Sequence, residues 1–184
     1  MMRLNTDNKP PTDGMNPDFN TGSKATPSSI GIGSSGLLFT FALVFRLIYI
    51  IQSLDNPLFG VPVVDAGSYA RWAERMVDGI WLWDSVGNYL PVYPAFLAVQ
   101  QIIFGTDPLV TKILQSMMGA GTAVLLAQVG ARTWNRRLGL ICGYLLATYW
   151  MPVIFESEKF AEAFSIFFLS LTLWLLVPNF SRTW

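Results

Sequence analysis

GLLFTFALVFRLIYII, residues 36–51, decides what kind of fold this chain adopts. Apart from Gly36, Thr40 and Arg46, every residue in it is a large apolar one or alanine. At about 1.5 Å per residue, a helix of this length only just crosses the hydrocarbon core of a bilayer. The composition agrees: 52% of residues are hydrophobic, 14% aromatic and 13% charged, with a mean hydropathy of +0.42. That balance excludes an ordinary soluble domain and points to an integral membrane protein. Arg46 sits inside the apolar run. A cation there either snorkels to the interface or faces a partner, and in the second case it is a candidate functional residue.

Moving outward, residues 1–34 are rich in Asn, Asp, Pro, Thr, Ser and Gly, and read as a disordered cytoplasmic tail. Beyond the first span, Pro91–Phe104 is too short to cross and reads as a juxtamembrane or re-entrant helix. Leu109–Gly130 is a second span, with Lys112 near its start and Gly119, Ala120, Gly121 and Ala123 available for close helix packing. Leu138–Val153 is a third, and Phe160–Val177, interrupted early by Glu162, a fourth. The expected fold is an all-α polytopic membrane protein: about four spans, with juxtamembrane helices in an outer loop over residues 53–107. The chain has no histidine, which excludes His-based triads, HExxH zinc sites and His relays within it. Its one cysteine, Cys142, reads as a packing residue. The formal net charge is zero and no basic run occurs, so nucleic acid is not expected as a partner.

Within the outer loop, Val64–Gly79 opens on Asp65 in a helix-capping position and closes on Gly79. Tyr69, Trp72, Ala73 and Met76 recur at i, i+3, i+4 and i+7, the apolar stripe of a surface helix, with Arg71, Glu74, Arg75 and Asp78 on the other face. If Pro91–Phe104 does not cross, the tail, the Arg132–Arg137 loop and the C-terminus share one side with seven of the twelve Lys/Arg. Asp65, Asp107, Glu156, Glu158 and Glu162 then share the other with nine of the twelve acids. The positive-inside rule makes the first side cytoplasmic. An extracytoplasmic carboxylate held on a helix tip can act as general base on an acceptor hydroxyl, while a nearby arginine neutralises a departing phosphate. Arg46 is the natural candidate for that arginine. The plainer reading makes Asp65 a helix cap, and Glu158 and Glu162 interfacial residues paired with Lys159. Paired carboxylates can also hold a divalent cation, although no ligand spacing requires one.

Several of these residues come in an order that resembles polyprenyl-phosphate-sugar-dependent membrane glycosyltransferases of the GT-C fold, the group of the protein O-mannosyltransferases and the aminoarabinose transferases of lipid A. The matching features are Arg46, Asp65 with Tyr69, Ala73-x-x-Met76-x-x-Gly79, and Pro91-x-Tyr93-Pro94. Phe104-Gly105, Leu114-Gln115 with Gly119-Ala120, and Arg136-Arg137-x-Gly139 follow, and Glu162-Ala-Phe-Ser-Ile-Phe-Phe ends the series. The resemblance covers residues 36–177. It implies inverting transfer of a sugar from a polyprenyl phosphate to a glycan, lipid or protein acceptor, on the outer face of a bacterial inner membrane or in an organelle lumen. Asp65 is then the catalytic base, and Arg46, Tyr69, Tyr93, Glu158 and Glu162 are substrate-binding residues. Two features depart from the family. Ala66 stands where an acidic pair often continues, and the family has roughly twice as many spans. Residues 35–184 are therefore expected to form the N-terminal part of such a transferase. The rival expectations are a non-catalytic subunit or remnant of one, and a small transporter.

Overall fold

A computed structural model describes residues 29–57, 65–81 and 91–180, and every regular element in them is a helix. In chain order these are α1 (Ile32–Ser53), α2 (Asp65–Val77), α3 (Val92–Phe104), α4 (Pro108–Thr133), α5 (Arg136–Thr148), α6 (Trp150–Glu156) and α7 (Ala161–Phe180). Most of the expected tail, and Trp83 and Tyr89 of the outer loop, lie outside the described residues. At the tail's inner edge, helix α1 already begins at Ile32, so residues 32–34 are helical.

Helix α4 is the centre of the bundle, with α1, α5 and α7 packed around it. Its buried side is made of small residues, Ala120, Ala123, Ala127 and Ala131, which meet Leu38 and Ala42 of α1 and Ala147 of α5 in one apolar core. On α5, Gly139 and Gly143 bring the two backbones together. A Cβ on Gly139 would run into the Ala127 carbonyl and the Ala131 backbone. This is small-residue packing of the kind that holds membrane helices together without help from a hydrophobic driving force. Because those glycines take the inner face of α5, Cys142 points outward and is exposed, contrary to the expectation that it packs.

The local stops are chemical. Asp107 accepts a 2.9 Å hydrogen bond from the Leu109 amide, with Pro108 opening α4, and Asn135 caps α5 through the Leu138 amide at 2.9 Å. Gly79, at φ 87°, closes α2: its N–H donates to the Met76 carbonyl and that of Ile80 to Arg75, the paired bonds of a Schellman motif.

The expected third span is broken. Pro152 has no N–H for the Thr148 carbonyl and its ring crowds that oxygen, so α5 ends at Thr148 and α6 leaves at 54°. Helices α1 and α4 are long and apolar enough to cross a membrane, and the bent α5–α6 pair makes a third if it is one broken span. That is fewer than the four expected. The apolar part of α7, Ala161–Val177, is a shorter helix. The all-helical architecture and these apolar elements are compatible with an integral membrane protein.

Side-chain bonds fix the directions. Gln128, late in α4, bonds both backbone groups of Ile30 and the Ser35 hydroxyl at the start of α1. Arg136, opening α5, donates to Ser34 at 2.9 Å. Thus α1 and α5 start from one end of the bundle, and α4 and α7 start from the other. Helix α3 touches the first turns of both α4 and α7: Thr111 donates to Gln100 at 2.7 Å, and Phe96 meets the Phe164 ring at 5.3 Å. It therefore lies across that end and does not run the length of the bundle.

Candidate functional site

The site is built around residues 156–160, where the chain turns from α6 into α7. Three buried side chains grip this turn. Arg46 of α1 donates Nε to Glu156 Oε2 at 2.5 Å and an Nη to Oε1 at 3.1 Å, a forked pair with both side chains nearly inaccessible. Lys112 of α4 donates to the Ser157 carbonyl at 2.5 Å and lies 3.6 Å from the Glu158 carboxylate. One turn further along α4, Gln115 donates Nε2 to the Phe160 carbonyl at 3.1 Å. The Lys112 bond holds a carbonyl within the turn, and the Gln115 bond holds the one that leads into α7. Gly119 completes the seat, because a Cβ there would overlap the Glu156 carboxylate.

Arg46 also ties the broken helix. Its other Nη donates to the Ala147 carbonyl, exposed by the end of α5, and to Ala42, each at 3.2 Å. The residue is buried with its charge matched by Glu156, which settles the choice made by the sequence between a snorkelling cation and one facing a partner. Sequence spacing gave no hint that the partner lies 110 residues away.

Helices α2 and α3 cover the same end. Trp72, Ala73 and Met76 of the expected stripe are buried against Tyr93, Leu97 and Ala98, with Tyr69 half-buried beside them. Tyr69 meets the Tyr93 ring edge-on at 5.1 Å, and Tyr93 in turn touches Phe164 of α7 at 6.1 Å. The Tyr93 hydroxyl and Gln115 Oε1 are buried without a hydrogen-bond partner. Burial holds the Tyr93 phenol well above the ordinary tyrosine range against the opposing influence of the Gln115 side chain, with the Glu162 carboxylate and Tyr69 adding to the rise. It is a neutral O–H donor at physiological pH. On the outer side, burial lowers the Lys159 ammonium, against the opposing pull of Glu74 of α2 and of Glu158.

Asp65 is exposed in the first turn of α2. Four residues before Tyr69, it lies on the same helix face about 6 Å along the axis. Glu162 is exposed in the first turn of α7 and lines a cavity of about 260 Å³ with Arg46, Glu156, Thr122 and a largely apolar wall from Leu146, Phe155 and Ile166. Of the six residues singled out by sequence, Tyr69 and Tyr93 touch, and Arg46 and Glu162 share this cavity. Glu158 pairs with Lys112, the residue that sequence reading had simply placed near the start of a span. Among the described residues no three of Asp, Glu or Cys converge, so no ready ligand set for a divalent cation is formed.

The polar face of α4 was missed. Thr111, Lys112, Gln115, Ser116 and Thr122 are all buried, and their spacing of three and four within an apolar run was the available signal. No family model matches the chain, and neither the curated proteins nor the solved structures contain a match.

Proposed function

We propose that this chain carries the general base of an inverting membrane glycosyltransferase that takes its sugar from a polyprenyl phosphate. The observation that supports this most directly is the gathering, at one end of the bundle, of the Asp65 helix, the Tyr69–Tyr93 pair and the acidic turn holding Glu158 and Glu162. In the proposed reaction the Asp65 carboxylate takes the proton of an acceptor hydroxyl. The acceptor oxygen forms a bond to the anomeric carbon as the carbon–oxygen bond to the phosphate breaks, and the lipid phosphate leaves with the electron pair. The neutral Tyr93 hydroxyl and the Glu162 carboxylate orient donor and acceptor groups. Arg46, paired with Glu156, shapes the wall of the site. The proposed setting is the outer face of a bacterial inner membrane, with a glycan, lipid or protein acceptor.

One observation favours a second reading, a non-catalytic membrane subunit of such an enzyme. The guanidinium assigned to the leaving phosphate is engaged by Glu156 and two backbone carbonyls. Turnover separates the two. Membranes carrying the protein, supplied with a radiolabelled polyprenyl-phosphate sugar, should release polyprenyl phosphate above membranes lacking it. Equal release from both would remove the catalytic reading and leave the subunit.

A further inference from the structure

The end of the bundle opposite the acidic turn holds a second feature, unconnected with the transfer chemistry. Helices α1 and α7 both pack on α4 but leave a cleft of about 690 Å³ between them. Its floor is Gly121, Val124 and Leu125, and its walls include Phe39 of α1 and Phe167 and Leu171 of α7. The apolar part ends at Arg132, about 16 Å along α4 from Gly121. Arg132 is fixed in place: one Nη donates to the Trp174 carbonyl at 2.9 Å, and the guanidinium lies 4.7 Å from the centre of the Trp174 ring.

Arg136 bonds Ser34 on the α5 side of α1, and Arg137 is exposed; of the three arginines at this end, Arg132 is the one that lines the cleft. Among the described residues no carboxylate pairs with Arg132, Arg136 or Arg137; the ion pairs of Arg46 and Lys112 lie at the opposite end. An apolar trough closed by an oriented arginine has the complement of an acyl chain carrying an anionic head.

We propose that this cleft is a binding site for one anionic phospholipid, its chain along Val124, Leu125 and Phe167 and its phosphate on Arg132. Neither a neutral lipid nor an apolar protein helix makes use of the Arg132 guanidinium that closes the trough. A basic site of this kind gains from each cation near the headgroup, and removing one should weaken retention about fivefold.

The test uses the full-length protein, purified in a mild detergent and titrated with phosphatidylglycerol or phosphatidylcholine of identical chains, with bound lipid counted by native mass spectrometry. Phosphatidylglycerol should be retained over phosphatidylcholine, and its retention should fall with added salt while that of phosphatidylcholine does not. Arg132→Gln should lose about fivefold and Arg132→Lys less. The salt titration needs no variant, so it decides even if Arg132→Gln folds poorly. Equal retention of the two lipids, salt-independent retention, or unchanged retention in a folded Arg132→Gln overturns the proposal. A photo-crosslinker at Leu125 that captures peptide and no lipid overturns it too, in favour of a helix in the cleft.

Discussion

Replacing Glu156 with leucine strands the Arg46 guanidinium in a buried position, and replacing Arg46 with methionine strands the carboxylate. Breaking a buried pair from either side costs about 3–5 kcal/mol, because what remains is an uncompensated charge. The guanidinium cannot relieve itself by losing a proton, whereas the carboxyl can gain one, so Glu156→Leu should be the worse of the two. The double variant Arg46→Met/Glu156→Leu removes both charges and keeps comparable volume. It should not return fully to wild type, because Arg46 also serves the Ala147 carbonyl at the end of α5. Leaving that acceptor unsatisfied costs about 1–3 kcal/mol. The double variant should therefore be more stable than either single one, with a coupling energy of at least about 3 kcal/mol. Titration from mild detergent into dodecyl sulfate, followed by tryptophan fluorescence, gives the four stabilities. If the two single effects simply add in the double variant, or each falls below about 1 kcal/mol, the pair is not the bolt described here.

Two further predictions test the packing and the directions of the helices. Gly139→Ala should destabilise by about 1–3 kcal/mol, since the new methyl meets the α4 backbone, which cannot step aside as a side chain would. Gly36→Ala, where nothing lies within 4 Å, should be neutral or stabilising in the same titration. In a Cys142→Ala background, Ser68→Cys and Thr106→Cys should react with an impermeant thiol reagent from one side of the membrane and Thr133→Cys from the other. Reaction of Ser68→Cys and Thr106→Cys from opposite sides would mean that α3 crosses.

Much of the helical layout was legible because its signals are local. The stripe of Tyr69, Trp72, Ala73 and Met76 gave the buried face of α2 and Gly79 its end, and the apolar run from Leu109 gave the start of α4 to within one residue. The break at Tyr149 was legible only in part. Pro152 was visible, but the apolar run around it is continuous, and hydropathy alone joins what the proline separates. The site was less legible because its bonds are long-range. Arg46 finds Glu156 across 110 residues, and Lys112 and Gln115 reach carbonyls 45 residues on. No periodicity encodes such pairings; only packing around the small residues of α4 brings them together.

The role proposed for Asp65 is tested most directly by Asp65→Asn, a change that keeps size and hydrogen bonding while removing the base. Transfer from a labelled polyprenyl-phosphate sugar is measured in membranes containing equal amounts of inserted wild type, Asp65→Asn and, as control, Asp78→Asn, exposed just past the other end of α2. A base of this kind contributes about 10²–10⁴-fold, so Asp65→Asn should lose at least about a hundredfold while Asp78→Asn stays near wild type. Transfer at the wild-type rate by inserted Asp65→Asn would contradict the account.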